Sequence, residues 1–328
     1  PDGGIAFHGR ESDTSEWKQM AAWGPEDALT SGPVAVAPGG KSLYVISSVG
    51  SNTGELRELD FATGKEKTIA KDEQADVSDL FIHPDTHAVQ AVAFNKARRT
   101  WKVIDDSIKD DFAAIAAIRD GDFNVANRDR ADKSWLVVFD VDDGPVYYYA
   151  YDRGTKKAQL LFANRKALEG LSLAKMKPVS FKARDGLTVQ GYLTLPAGVE
   201  PKNLPLVLNV HGGPWARDSW GYDGEVQWLA NRGYAVFQVN YRGSTGYGKS
   251  FLNAANREWG GKMHDDLVDG VKWVIEQGIA DPKRVGIFGG SYGGYATLVG
   301  LTFTPDLFAC GVDIVGPSNL ITFQETIP

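Results

Sequence analysis

Hydrophobic and polar positions follow two different patterns along the chain, and the change falls near residue 178. Before it, short segments such as 42–47 (Ser-Leu-Tyr-Val-Ile-Ser) and 135–139 (Trp-Leu-Val-Val-Phe) are rich in β-branched and aromatic side chains, and turn clusters such as Pro-Gly-Gly at 38–40 flank segments of this kind. Short runs of this composition bounded by Gly, Pro and Asp are typical of antiparallel strands, which we expect to be half-buried. We therefore predict an all-β domain over residues 1–177.

Within this first domain a pattern of paired strands recurs along the sequence. Residues 34–44 have the pattern of one propeller strand pair, and residues 80–84 and 133–141 repeat it more loosely. Propeller blades take about 40–45 residues, so the domain holds roughly four of them, which is at the low end for a closed ring. We predict an incomplete β-propeller interrupted by a helix within 104–118. A plain antiparallel β-sandwich is the alternative.

After residue 178 the pattern changes to alternating strands and helices. Residues 206–210 (Leu-Val-Leu-Asn-Val) form a run that is apolar except for Asn209, which is typical of a strand buried on both faces of a parallel sheet. Residues 235–240 and 284–288 are further predicted strands, and 263–277 has apolar residues at helical spacing. We predict that residues 178–328 form an α/β domain with a mostly parallel sheet.

A serine lies in the sharpest of the predicted turns. Residues 289–293 have the sequence Gly-Gly-Ser-Tyr-Gly, between a predicted strand at 284–288 and a predicted helix at 292–301. This is the G-x-S-x-G nucleophile elbow, in which glycines allow a strained turn that exposes the serine hydroxyl. Ser291 is therefore the candidate nucleophile for attack on an acyl carbon. The alternative is a Gly-rich turn that packs a helix closely on the sheet.

A serine elbow also needs donors that bind a developing oxyanion. The backbone N–H of Tyr292, at the start of the predicted helix, is one candidate. The other is the N–H of Gly213, in the sequence His-Gly-Gly-Pro at 211–214, which follows the strand at 206–210 as the second oxyanion loop of α/β-hydrolases does. A simple Gly-Pro turn is the alternative there.

A second motif indicates different chemistry. Residues 243–250 match G-x-x-x-x-G-K-[ST], the phosphate-binding loop, with Lys249 as the phosphate-binding side chain. A true phosphate loop opens into a helix, and the residues from Phe251 onward are compatible with one. Nucleotide binding at 243–250 is therefore an alternative hypothesis, although it leaves the elbow and the His-Gly-Gly loop unexplained.

Three sequences in this order resemble one family. Residues 240–248 (Asn-Tyr-Arg-Gly-Ser-Thr-Gly-Tyr-Gly), with His-Gly-Gly-Pro at 211–214 before them and Gly-Gly-Ser-Tyr-Gly-Gly at 289–294 after them, resemble the prolyl oligopeptidase family of serine peptidases. The nearest branch is that of acylaminoacyl-peptidase and dipeptidyl-peptidase-like enzymes. The resemblance implies an access-restricting β-propeller followed by an α/β-hydrolase domain that cuts short peptides without a cofactor. It also implies that Ser291 is the nucleophile, with Tyr292 and Gly213 forming the oxyanion hole.

The sequence departs from this family after the elbow. In the family the triad acid and histidine follow later strands, but no histidine follows Ser291, and Asp306 and Asp313 have the context of structural residues. We therefore expect an α/β-hydrolase domain truncated at its C-terminal end, with the triad Asp and His absent, and an inactive fragment of an active parent. The alternatives for function are a non-catalytic peptide-binding module and a carboxylesterase.

Composition and charge limit the classes of molecule that we expect this chain to bind. The formal net charge of −7 argues against nucleic acid or an anionic membrane as the main partner, and no apolar run approaches the length that spans a bilayer. We expect a short peptide substrate, no cofactor and no metal. The sequence leaves open a homo-oligomeric state and the choice between cytoplasm and periplasm.

The single cysteine excludes an intrachain disulfide. Cys310 lies in the apolar sequence Leu-Phe-Ala-Cys-Gly-Val at 307–312. Free cysteine behaves as a small hydrophobic residue and is commonly buried. We predict that Cys310 is a buried core residue.

Overall fold

A computed structural model describes residues 3–10 and 12–326 of the chain. The chain forms two compact units: one contains the residues up to Ala113 together with Thr245–Asn253, and the other contains Ala114–Ser244 and the residues from Ala254 onward. The helices in the described residues are α1 (Lys109–Ala116), α2 (Gly224–Ala230), α3 (Lys249–Asn253), α4 (Lys262–Glu276), α5 (Tyr292–Phe303) and α6 (Leu320–Thr326).

Antiparallel sheets make up the first unit. Its strands are β1 (Ile5–Gly9), β2 (Lys18–Trp23), β3 (Gly32–Val36), β4 (Ser42–Ser47), β5 (Glu55–Asp60), β6 (Glu66–Ala70), β7 (Val77–Ile82), β8 (Val89–Asn95) and β9 (Arg99–Val103). Strands β1 and β2 pair with each other, β3–β6 form a four-stranded sheet and β7–β9 form a three-stranded sheet. The helix expected within 104–118 is confirmed as α1.

Strand β4 shows how these sheets share their cores. Leu43 and Val45 pack with Trp23 of β2 on one face, whereas Tyr44 packs with Val92 of β8 on the other. Successive side chains of a strand point to opposite faces, so the sheet of β4 is covered on both. The strand predicted at 42–47 is therefore confirmed, but it is buried more completely than the half-buried strand that the sequence predicts.

The second unit contains one antiparallel and one mixed sheet. Its strands are β10 (Asp122–Arg128), β11 (Ser134–Asp140), β12 (Tyr147–Asp152), β13 (Lys157–Ala163), β14 (Met176–Lys182), β15 (Thr188–Thr194), β16 (Leu204–Val210), β17 (Ala235–Asn240), β18 (Ala280–Gly290) and β19 (Cys310–Ile314). Strands β10–β13 form a four-stranded antiparallel sheet in chain order. The domain boundary near residue 178 stays a prediction, and β10–β13 lie in the same compact unit as the mixed sheet.

The mixed sheet has the strand order β14-β15-β17-β16-β18-β19. The strands β14, β15 and β17 pair antiparallel, and β17, β16, β18 and β19 pair parallel. Strand β16 lies at its centre, with Leu206 and Leu208 almost fully buried against Leu267 and Val271 of α4. The mostly parallel sheet and the amphipathic helix that the sequence predicts are confirmed.

The prediction for Cys310 is wrong, because this cysteine is exposed. It begins β19, which pairs only with β18 and forms one edge of the sheet in the described residues. Val312 and Ile314 of the same strand are also exposed. The apolar pattern correctly predicts a strand, but burial depends on what covers that strand, and the pattern does not contain this information.

Candidate active site

Ser291 occupies the turn between β18 and α5. Its backbone has φ 56° and ψ −119°, a left-handed conformation that is uncommon for a non-glycine residue. The turn is held on both sides: Ser291 N donates to Ile314 O at 2.8 Å, and Tyr295 N donates to Ser291 O at 3.0 Å. The strand–turn–helix context predicted for Ser291 is confirmed, and its side chain is exposed.

Glycines permit this turn because α5 begins in close contact with the sheet. A Cβ on Gly289 would lie 2.5 Å from the carbonyl carbon of Gly293, and a Cβ on Gly293 would overlap the carbonyl oxygen of Val210 at the end of β16. Only hydrogen fits at either position. The first turn of α5 is thereby held directly against the carboxyl end of the central strand.

The loop at 211–214 lies against the same turn. A Cβ on Gly212 would lie 3.0 Å from Gly290 O and 3.3 Å from Ser291 Cβ. Gly213 has φ 124°, a conformation that favours glycine, and is exposed. The structure therefore brings together the two segments that carry the predicted site residues Ser291, Tyr292 and Gly213.

His211 anchors this loop through both of its ring nitrogens. Nδ1 lies 2.8 Å from Gly212 O, and Nε2 lies 2.9 Å from Ser244 Oγ. The Tyr241 hydroxyl donates to His211 O at 2.8 Å, and the two rings stack with centroids 4.4 Å apart. Burial lowers the pKa of His211 to about 4, and the charge of Arg217 acts in the same direction. The imidazole is therefore neutral at pH 7.

The side chain of Tyr292 is part of the core rather than of the exposed turn. Its ring packs against Trp259 and Tyr241, with centroids 4.7 Å and 5.2 Å away, and burial raises the pKa of its hydroxyl. As the first residue of α5, Tyr292 has a backbone N–H without an acceptor in its own helix. That N–H is the polar group that Tyr292 can offer to a ligand at Ser291.

A buried ion pair lies next to the end of β17, and no pattern in the sequence predicts it. Arg242 Nη2 donates to Asp266 Oδ1 at 2.7 Å, and Arg242 Nη1 donates to Asp185 Oδ2 at 2.9 Å. Burial raises the pKa of Asp266, against the opposing effect of Arg242. The pair connects β17, α4 and the β14–β15 hairpin next to the anchored loop. In the sequence, Arg242 is visible only as the arginine of Asn-Tyr-Arg-Gly at 240–243. This motif does not indicate which carboxylates the arginine pairs with.

The contacts of the phosphate-loop motif do not favour a nucleotide site. Lys249 Nζ donates to Asp27 Oδ1 at 2.7 Å and to Ser48 O at 3.0 Å, within the first unit. Lys249 N donates to Asn52 O, and Gly248 N to Asp76 Oδ2. The helix that follows, α3, has five residues. The groups that a phosphate would need are bonded to protein acceptors.

No histidine or carboxylate within residues 3–10 and 12–326 forms a hydrogen bond with the Ser291 hydroxyl. His264 Nε2 lies 3.1 Å from Thr304 Oγ1 and links α4 to the end of α5. Asp313 Oδ1 accepts from Gly316 N at 2.8 Å, and Asp306 is exposed. The described residues thus form the turn at Ser291 and the loop at 211–214. None of them accepts a hydrogen bond from the Ser291 hydroxyl, as a general base would.

A sequence profile described as the prolyl oligopeptidase family matches residues 220–327, which include Ser291 and its turn. Residues 220–327 belong to the prolyl oligopeptidase family. The recognition made from the three sequence motifs is confirmed. No helix in the described parts of the chain combines the length and apolar character needed to cross a membrane.

The curated relatives that match this chain are longer proteins. The chain is 49% identical to dipeptidyl aminopeptidase BIII of Pseudoxanthomonas mexicana over 100% of its own length and 48% of that protein. It is 36% identical to dipeptidyl peptidase family member 6 of Caenorhabditis elegans, again over 100% of the chain and 48% of the relative. The chain therefore spans about half the length of these curated relatives.

Solved structures support the fold class. A puromycin-hydrolysing peptidase of Mycobacterium tuberculosis matches with a TM-score of 0.79 and 22% identity, over 100% of this chain and 51% of that one. At this identity the match concerns the fold alone. It supports antiparallel sheets followed by an α/β-hydrolase sheet, and the incomplete propeller and the truncated hydrolase domain stay predictions.

Proposed function

We propose that this chain is part of a serine peptidase that hydrolyses short peptides through an acyl-enzyme on Ser291. The observation that carries the proposal is the left-handed backbone of Ser291 between β18 and α5, with the 211–214 loop against it. A strained, exposed serine at the carboxyl edge of a parallel sheet is the arrangement that nucleophilic acyl transfer uses.

In this proposal Ser291 Oγ attacks the carbonyl carbon of the scissile peptide bond. A histidine base, which approaches from outside the described residues, takes the hydroxyl proton and returns it to the leaving amine. The backbone N–H groups of Tyr292 and Gly213 donate to the oxyanion of the tetrahedral intermediate. Water then hydrolyses the ester by the same steps, and Ser291 regains its proton.

Two observations favour a peptidase over the alternatives. The relatives that match the full chain are named dipeptidyl aminopeptidase and dipeptidyl peptidase, which supports peptide over simple ester substrates. The occupied contacts of Lys249 give nucleotide binding no support. The non-catalytic binding module is distinguished by experiment, because it requires the turn at Ser291 but no reactivity there.

The test is labelling by a fluorophosphonate probe of this chain and of a longer form of the protein that supplies the histidine. The longer form is expected to label rapidly and stoichiometrically, and Ser291→Ala is expected to abolish the labelling. Ser134→Ala, on an exposed position of β11, is the matched control and is expected to label normally. The chain alone is expected to label slowly or not at all.

Either of two results overturns the proposal: labelling that persists in Ser291→Ala, or a folded longer form that never labels. Rapid labelling of the chain alone would instead overturn the assignment of the base to a histidine outside the described residues. Hydrolysis of dipeptide anilides by the longer form, compared with small esters, then distinguishes a peptidase from a carboxylesterase.

A further inference from the structure

The loop between β16 and α2, which carries Gly213, is attached to the end of β17 at two points. Before Gly213, His211 O accepts from the Tyr241 hydroxyl at 2.8 Å. After Gly213, Asp218 N donates to Asn240 Oδ1 at 2.8 Å, and Asn240 Nδ2 donates to Asp218 O at 3.0 Å. The last residue of β17 and the residue that follows it therefore hold the loop on both sides of the candidate oxyanion donor.

A third attachment, between the side chains of Asp218 and Gln238, leaves two oxygen atoms without a donor. Gln238 Nε2 donates to Asp218 Oδ1 at 3.1 Å. The other oxygen of each group, Asp218 Oδ2 or Gln238 Oε1, is closed to solvent and has no hydrogen-bond partner within residues 3–10 and 12–326. Buried polar atoms are almost always hydrogen-bonded. Two groups that already share one hydrogen bond thus each hold an acceptor that needs a proton.

A single proton on Asp218 Oδ2 satisfies both atoms, because a protonated carboxyl group is a donor through one oxygen and an acceptor through the other. We propose that Asp218 and Gln238 form such a neutral pair, in which Oδ2–H donates to Oε1 while Nε2 donates to Oδ1, and that the pair positions the loop carrying Gly213. No ligand has to reach the two closed oxygen atoms. The proposal rests on the proposed function in taking Gly213 as an oxyanion donor.

The surroundings of Asp218 favour the protonated carboxyl group near neutral pH. Burial raises its pKa to about 7, and the negative charge of Asp223 acts in the same direction. The charge of Arg217 opposes this effect, and Arg217 Nε donates to the backbone oxygen of Asp218 at 3.1 Å. The other titratable groups that face this carboxyl are the hydroxyls of Tyr192 and Tyr241 and, in the lining of the adjacent cavity, Asp140 and Arg165.

The pair makes the attachment of the loop sensitive to pH. As pH rises through 7, Oδ2 loses its proton to solvent, and Oδ2 and Oε1 become two acceptors that repel each other. One hydrogen bond between the loop and β17 is lost, whereas those of Asn240 and Tyr241 remain. The carboxyl group ionises near pH 4 in the unfolded chain, so the contribution of the pair to stability declines between about pH 4 and pH 7.

Infrared difference spectra between the chain and Asp218→Asn test for the shared proton. At pH 6 the chain is expected to show the C=O band of a neutral carboxyl group that the variant lacks, and at pH 8.5 carboxylate bands replace it. Asp306→Asn, which removes an exposed aspartate, is the matched control and is expected to remove carboxylate bands at both pH values. Carboxylate bands from Asp218 at pH 6 overturn the proposal, whether water or a cation satisfies Oδ2.

Hydrogen exchange of the backbone amide of residue 218 tests whether the pair holds the loop. From pH 6 to pH 8.5 its protection, corrected for the intrinsic exchange rate, is expected to fall about two- to tenfold, the effect of one lost hydrogen bond. In Asp218→Asn the new amide group donates to Gln238 Oε1 at either pH, so protection is expected to stay constant. Protection that is equally lost in Asp218→Asn at both pH values would show that the loop needs an ionised carboxylate, and overturns the proposal.

Gln238→Met keeps the carboxyl group but removes its amide partner. The neutral C=O band at pH 6 is then expected to shift to higher frequency, as in a carboxyl group without a hydrogen bond, and an unshifted band overturns the pairing. This comparison does not require Asp218→Asn to fold.

In the longer form of the protein, the fluorophosphonate labelling rate of Asp218→Asn relative to the unaltered protein is expected to rise about two- to tenfold from pH 6 to pH 8.5. A constant ratio would show that the pair does not position Gly213. The infrared and exchange measurements use the chain alone and need no reactivity, so failure of the pair and failure of the nucleophile are distinguishable.

Discussion

At the scale of single residues, the candidate site depends on glycines, because a Cβ atom at these positions would clash with neighbouring atoms. Gly293 allows α5 to begin against the carbonyl of Val210, and Gly212 allows its loop to approach Ser291 Cβ. His211 then fixes the loop through Ser244 and Tyr241. A neutral, buried imidazole holds the 211–214 loop without adding a charge beside the oxyanion hole that we propose.

The state of His211 predicts a pH dependence of stability. Its pKa is lowered to about 4 in the folded chain and is about 6.5 when unfolded. The unfolded state therefore takes up the proton first as pH falls, and stability is lost from about pH 6.5 downward. Between pH 7.5 and pH 5 the loss due to His211 is about 2 kcal/mol.

Urea unfolding of the chain and of His211→Gln at the two pH values measures this loss. The variant is expected to be less stable at pH 7.5 but less sensitive to pH, by about 2 kcal/mol. The comparison with the variant removes the contribution of His264, whose pKa burial also lowers. Identical pH sensitivity in both proteins would contradict the assignment of a neutral, buried His211.

At the scale of elements, the Arg242–Asp266 pair joins β17 to α4. The two side chains are 4% and 0% exposed. Removing one partner of a buried pair leaves an uncompensated charge, so Arg242→Met is expected to destabilise the chain by about 3–5 kcal/mol. Arg184→Met is the matched control, because Arg184 makes a similar pair with Asp269 but is 47% exposed, and its loss is expected to cost about 1 kcal/mol or less.

Chemical denaturation of the two arginine variants and of the double variant Arg242→Met/Asp266→Leu measures this difference. The double variant is expected to be more stable than Arg242→Met, because it no longer buries a lone carboxylate. Equal losses for Arg242→Met and Arg184→Met would show that burial does not govern the contribution of this pair.

The elements were largely predictable from the sequence, whereas contacts between distant residues were not. Apolar spacing is a local property of the sequence, so it predicts a helix at 263–277, and helix α4 spans Lys262–Glu276. The exposure of Cys310 depends on the strands that flank β19. The hydrogen bonds of Asp218 with Gln238 and Asn240 join residues about 20 positions apart, and no motif indicates them.

At the scale of the whole molecule, a segment from the second half of the sequence completes the first unit. Residues Thr245–Asn253 lie in that unit with the residues up to Ala113. Burial acts to raise the pKa of Asp27, but the hydrogen bonds from Lys249 and Ser48 outweigh it and the pKa is lowered. The contribution of Asp27 to stability is therefore present above about pH 4 and is lost at lower pH.

Lys249→Met is expected to destabilise the first unit by about 1–3 kcal/mol, because it leaves the Asp27 carboxylate without its cation. Hydrogen exchange of the amides in residues 47–54 measures the effect, with Lys41→Met, an exposed lysine, as the control. No ATP affinity is expected in either the chain or the variant. ATP affinity that Lys249→Met abolishes would instead restore the nucleotide-binding hypothesis.

The position of Thr245–Asn253 has a consequence for how the chain can be divided. The polypeptide passes from one unit to the other three times, after Ala113, Ser244 and Asn253. A protease that cut only after Ala113 would leave two polypeptides that remain associated, because the larger piece still carries the segment that belongs with the smaller one. Such a nicked protein would run as one species on a native gel and as two after denaturation.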